Sequence, residues 1–77
     1  MSEKLPLLKA RDVAKILEKV GFELKRQKGS HMFFEHSDGR TTVIPNHPTD
    51  HVDRGLLNKI IKHDLLMSRE EFLKYVK

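Results

Sequence analysis

Residues 22–44 read FELKRQKGSHMFFEHSDGRTTVI, three short runs separated by two turn signals, and the reading of this stretch decides the fold. Phe22 to Lys28 reads as a strand. Side chains alternate along an extended chain, so Phe22 and Leu24 point to one face and Lys25 and Gln27 to the other. Gly29-Ser30 is a short turn signal consistent with a hairpin. His31 to His36 reads as the second strand, with Met32, Phe33 and Phe34 in a row. Ser37-Asp38-Gly39 is the second turn signal. Arg40 to Ile44 reads as the third strand, where β-branched Thr41, Thr42, Val43 and Ile44 suit a pleated surface. The three runs predict an antiparallel meander.

On either side of this stretch the hydrophobic period is helical. Before it, Val13, Ile16, Leu17 and Val20 follow the i, i+3, i+4, i+7 rule and predict a helix from about Lys9 to Val20, with Lys15, Glu18 and Lys19 off the apolar stripe. Gly21 ends that helix; no good N-cap residue precedes it. After it, Pro45 to Val52 is a polar loop with two prolines and two histidines. Asp53 is placed to cap a second helix, roughly Arg54 to His63, with Leu56, Leu57, Ile60 and Ile61 as its apolar face. Ser68 and Glu71 form a capping box for a last short helix, which Phe72, Tyr75 and Val76 are expected to fasten to the body. The fold class is therefore α+β. A three-stranded sheet carries helices on one face, in the α-β-β-β-α order of the double-stranded-RNA-binding domain, plus a short C-terminal helix.

Seventy-seven residues with no linker, repeat or low-complexity stretch predict a single domain spanning 1–77. There is no cysteine, which removes disulfides and thiolate metal sites and fits a reducing cytosol. No apolar run approaches the roughly 20 residues of a membrane span. The four apolar residues Leu5 to Leu8 are too short for a secretory signal, so a cytoplasmic protein without a membrane partner is expected. Fifteen basic against eleven acidic residues give a net charge of +4. That balance suggests an anionic partner, nucleic acid first, although a solvated basic surface gives the same composition.

Gly29-Ser30-His31 is the most informative local cluster. Histidine suits proton transfer near neutral pH because its free pKa is near 6.5. His31 sits where a turn becomes a strand, a rigid mount with access for a substrate. Gly29 lets a backbone come close, and Arg26 and Lys28 put positive charge nearby, where a phosphate can bind. A plain surface histidine at a strand start fits the same pattern. If Met32 and Phe34 point to the core, alternation puts His31 and Phe33 outside. If Phe33 is the core residue, His31 shares its inward side. Whichever phenylalanine is not core packs beneath the last helix or stacks on a base, and packing is the expectation. His47, held between two prolines, is available as a general acid or as a loop hydrogen-bonding group. Arg26, Lys28 and Arg40, with Lys59 and Lys62 on the solvent side of the second helix, form a candidate track for phosphates. The five histidines, His31, His36, His47, His51 and His63, do not make a metal motif. His47 and His51 have i, i+4 spacing, but Pro48 argues against a helix there, so no metal or cofactor is expected.

Taken in order, several of these pieces resemble the HicA, or YcfA-like, toxin family. They are Gly21-Phe22 after an amphipathic helix, Gly29-Ser30-His31 opening a strand, Val43 to His47 with its Pro-x-His element, and Gly55-x-Leu57-x-x-Ile60-Ile61 in the second helix. The resemblance runs from about Leu5 to Val76. The chain departs from the family pattern at Leu56, where threonine is usual, and at Pro48-Thr49-Asp50-His51, in place of a Gly- and Lys-rich loop. The resemblance implies a double-stranded-RNA-binding-like fold, cleavage of mRNA, and a HicB-type antitoxin that covers the active site. It also implies that His31 is the catalytic histidine. The residues themselves add Ser30 and His47 as auxiliary candidates and Arg26, Lys28, Gly29, Arg40, Lys59 and Lys62 as RNA-binding candidates. A non-catalytic RNA-binding module of the same fold is the alternative.

Overall fold

The computed structural model describes residues 5–47 and 50–76. Pro48 and Thr49 of the expected loop lie outside the described residues, as does the restraint that Pro48 was expected to place on His47. Helix α1 (Ala10–Val20) buries Ala10, Val13, Ile16 and Leu17. Its start is tied by its third residue: the Lys9 N–H donates to Asp12 Oδ2 at 3.0 Å, and the Asp12 N–H donates to the Lys9 carbonyl. Its end is Gly21, at φ 119°, whose N–H donates to the Leu17 and Glu18 carbonyls. A Cβ at position 21 would lie 2.8 Å from Nε2 of His36, in a conformation that L side chains rarely adopt. Gly21→Ala is therefore expected to cost about 1–3 kcal/mol, read as a lower denaturant midpoint.

Strands β1 (Phe22–Lys28), β2 (His31–His36) and β3 (Thr41–Pro45) form one antiparallel sheet in the order β1-β2-β3. The β1–β2 turn is tight. Gly29 has φ 58°, and Leu66 is the one non-glycine at positive φ among the described residues, so Ser30 is at negative φ. Glycine first with an ordinary second residue is the pattern of a type II′ hairpin turn.

The ladder between β1 and β2 is not regular. Leu24 pairs with Phe34, but Arg26 pairs with Phe33, leaving Lys25 as an extra residue in a β-bulge. The bulge resets the alternation. Uninterrupted counting from Phe22 puts Gln27 on the outer face and Lys28 on the core side. The observed register instead sets Gln27 opposite Met32, on the core side, and Arg26 and Lys28 opposite Phe33 and His31.

Met32, Phe34, Thr42 and Ile44 form the inner face of the sheet and are all buried. They share a core with Val13, Leu17, Leu57, Ile61, Leu65 and Phe72. Helix α2 (Arg54–Lys59) starts where expected, with Asp53 accepting from the Leu56 N–H at 3.2 Å. It does not run on as an α-helix to His63. From Ile60 to Asp64 the chain forms a π-helical turn, closed by the Leu65 N–H on the Ile60 carbonyl at 2.9 Å. The wider turn keeps Ile60, Ile61 and Leu65 all buried and leaves Asp64 at the rim, where Oδ2 accepts from the buried Thr42 hydroxyl at 2.8 Å. Helix α3 (Arg69–Leu73) begins with the expected reciprocal pair of Ser68 and Glu71. It drives Phe72 into the core, with Tyr75 and Val76 packed against it.

Phe34 is thus the core phenylalanine. Phe33 does not pack beneath the last helix; it lies on the opposite face, which no described element covers, because α3 docks on the helical side.

Candidate active site

The uncovered face of the sheet is built in cross-strand rows, since directly opposed residues of an antiparallel ladder point the same way. Beside the β1–β2 turn the row is Lys28, His31, Pro45. The next is Arg26, Phe33, Val43, and beyond it lies Glu23, Glu35, Thr41. His31 is exposed at the first position of β2, and its ring makes no hydrogen bond within the described residues. Two basic side chains therefore stand beside one free imidazole, and neither is ion-paired among the described residues. Arg26 lies over the Phe33 ring, with Cζ 4.6 Å from the centroid.

The turn below His31 is fixed to the third strand. The Asn46 N–H donates to the Ser30 carbonyl, tying the end of β3 to the hairpin. Nothing lies within 4 Å of where a Gly29 side chain would start, so the turn leaves open space next to His31. His47 follows two residues after Pro45, the cross-strand neighbour of His31. It is exposed and lines a shallow cavity of about 270 Å³ with Lys9, Ala10, Arg11 and Asn46. Lys9 and Arg11 add positive charge at this end of the molecule. They lie more than thirty residues before His47 in the chain, so only the packing of α1 against the sheet could reveal them.

The remaining cations are not part of this cluster. Arg40 is occupied at the other end of the sheet. Its Nε donates to Asp38 Oδ2 at 2.8 Å, Nη1 donates to the Leu65 carbonyl, and Cζ lies 5.2 Å from the centre of the Phe22 ring. The Arg40 side chain and backbone N–H, bonded to Asp38, hold that carboxyl below the usual carboxylate range. Arg40 thus fastens the β2–β3 turn to the end of the π turn. Lys59 sits beside the free edge of β3, near Thr41 and Val43, and Lys62 is exposed on the π turn. Among the described residues no three histidine, aspartate or glutamate side chains come together in a way that could hold a metal ion. No helix of the described residues is long and apolar enough to cross a membrane.

An imidazole, two cations without an ion pair among the described residues, open space and a rigid turn are what a general base beside a phosphate needs. A family model described as the HicA toxin of bacterial toxin-antitoxin systems matches residues 10–64, from the first residue of α1 to the end of the π turn. No curated protein matches the chain.

Proposed function

Because the chain belongs to the HicA toxin family of bacterial toxin-antitoxin systems, we propose that it is an mRNA endoribonuclease that uses His31 as its general base and needs no metal. The observation that carries this reading is the Lys28–His31 pair across the hairpin turn on an uncovered face. The unprotonated His31 ring takes the proton of a ribose 2′-hydroxyl. The 2′-oxygen attacks the adjacent phosphorus, and the bond to the 5′-oxygen of the next nucleotide breaks. The departing oxygen takes its proton from His47 or from water. The products are a 2′,3′-cyclic phosphate and a 5′-hydroxyl end. Lys28 and Arg26 stabilise the negative charge that builds on phosphorus, which is where fixed cations lower a barrier most. Ser30 and Gly29 set the ring at the strand start rather than react.

On this reading the protein acts in the cytoplasm as one domain, and its partner is a HicB-type antitoxin. The first test is incubation of the purified protein with end-labelled RNA in EDTA. Cleavage leaving cyclic-phosphate and 5′-hydroxyl ends is expected. RNA that is bound and shifted but stays whole would return the protein to a binding role, and cleavage stopped by EDTA would remove the metal-independent mechanism.

The bulge supplies a second test. Deleting Lys25 joins Leu24 to Arg26 and leaves both cations opposite the same β2 partners, so folding and cleavage are expected to survive. Only an exposed pair with Glu23 is lost. Lys28→Ala keeps the ladder and removes the cation opposite His31, and cleavage should fall at least tenfold. Activity of Lys28→Ala equal to that of the Lys25 deletion would contradict the assignment of Lys28.

A further inference from the structure

We infer that Phe33, with Arg26 laid over it, is a stacking platform for one unpaired base next to the scissile phosphate. The proposal rests on the ribonuclease reading above and names the form of RNA that the site accepts: single-stranded, with a base free to leave its neighbours. Phe33 lies on the uncovered face, half-buried, with its side chain flanked by Arg26 on β1 and Val43 on β3. An aromatic ring held open to solvent between two strands, with a guanidinium against it, is the surface on which nucleic-acid bases stack. His31 and Phe33 are two residues apart on one strand and face the same way, so they stand about 6.6 Å apart. One nucleotide step of an extended strand covers a span of that order. A base on Phe33 therefore sets the neighbouring ribose and phosphate beside His31 and Lys28.

The rows limit the track in the other direction. Beyond Phe33 come Glu35, which repels a phosphate, and Glu23, whose charge Lys25 offsets. The RNA strand must leave the sheet there, so the platform takes one base rather than a long run. A base inside a duplex is stacked on both sides and cannot offer a face to Phe33 without being pulled out, so duplex RNA is a poor substrate.

The test uses the intact protein and a short 2′-O-methyl oligonucleotide, which binds but cannot be cut because the attacking hydroxyl is blocked. The chain has no tryptophan, so Phe33→Trp introduces a single indole at the platform while keeping a stacking surface. Its emission should be quenched by the single-stranded oligonucleotide and not by the same strand in a duplex. Phe33→Ala should bind the single strand about 5- to 150-fold more weakly, and Phe33→Trp should restore binding. Phe33 is outside the core, so an unchanged melting curve shows that the alanine effect is local. Binding by Phe33→Ala within twofold of the parent, or an indole that ignores the single strand, overturns the platform. If the parent protein binds and cleaves RNA normally in that case, the ribonuclease reading stands without it. If the parent neither binds nor cleaves RNA at low salt, both fall together.

Discussion

Replacing His31 with alanine is expected to lower RNA cleavage by roughly 10²- to 10⁴-fold, the range that a positioned general base contributes, while the protein stays folded and still binds RNA. The side chain is exposed and makes no hydrogen bond within the described residues, so its removal strands no buried group. The backbone of residue 31 keeps its place in the ladder, opposite Lys28 on one side and Pro45 on the other. Surface changes of this kind usually alter stability by less than about 0.5 kcal/mol. Lys28 and Arg26 remain to attract phosphate, so a gel shift at low salt should be close to that of the parent. Cleavage rate, melting temperature and RNA affinity, measured on the same preparation, separate chemistry from folding. A folded His31→Ala protein that cuts RNA at the parental rate would remove the general-base assignment, and the family membership would then have to be served by another residue.

Phe72→Ala is expected to remove a large share of the protein's folding free energy. Phe72 is fully buried and is the residue through which α3 reaches the core. Truncating a buried phenylalanine costs about 3–5 kcal/mol through lost transfer energy and the cavity left behind. The whole stability of a chain this long is roughly 4–12 kcal/mol, and a small core has little to spare. The matched family segment ends at residue 64, yet Leu65 and Phe72 are buried in the same core as Val13 and Ile61. Helix α3 is therefore part of what holds the sheet, not an appendage to it. Denaturant unfolding followed by circular dichroism checks this. A cooperative transition within about 1 kcal/mol of the parent would show that α3 is dispensable.

Much of the fold was legible because its signals are local. The stripe of Val13, Ile16 and Leu17, the stop at Gly21, the turn at Gly29 and the box of Ser68 and Glu71 each declare themselves within a few residues. The facing of His31 was legible only conditionally. It depended on whether Phe33 or Phe34 is core, and two adjacent phenylalanines give alternation no way to choose. The bulge at Lys25 was hidden for a related reason. After Leu24 every residue of β1 is polar, so a skipped position leaves no mark on the hydrophobic pattern, and the facing of Gln27 came out reversed. The π turn was hidden because Ile60 and Ile61 fit an α-helix equally well; the need to bury Leu65 appears only when the core is assembled. Arg40 read as a phosphate ligand because the Leu65 carbonyl it holds lies 25 residues away.

The rows of the open face have a kinetic consequence. Lys28 and Arg26 stand near the hairpin turn, while at the far end Glu23 and Glu35 outnumber Lys25, so the sheet carries an electric dipole along β2. A polyanion drifting past feels a torque as well as an attraction, and arrives turn-first more often than chance allows. Encounter should therefore slow sharply as ionic strength rises, while turnover at saturating RNA changes little, because screening weakens the approach far more than contacts already made.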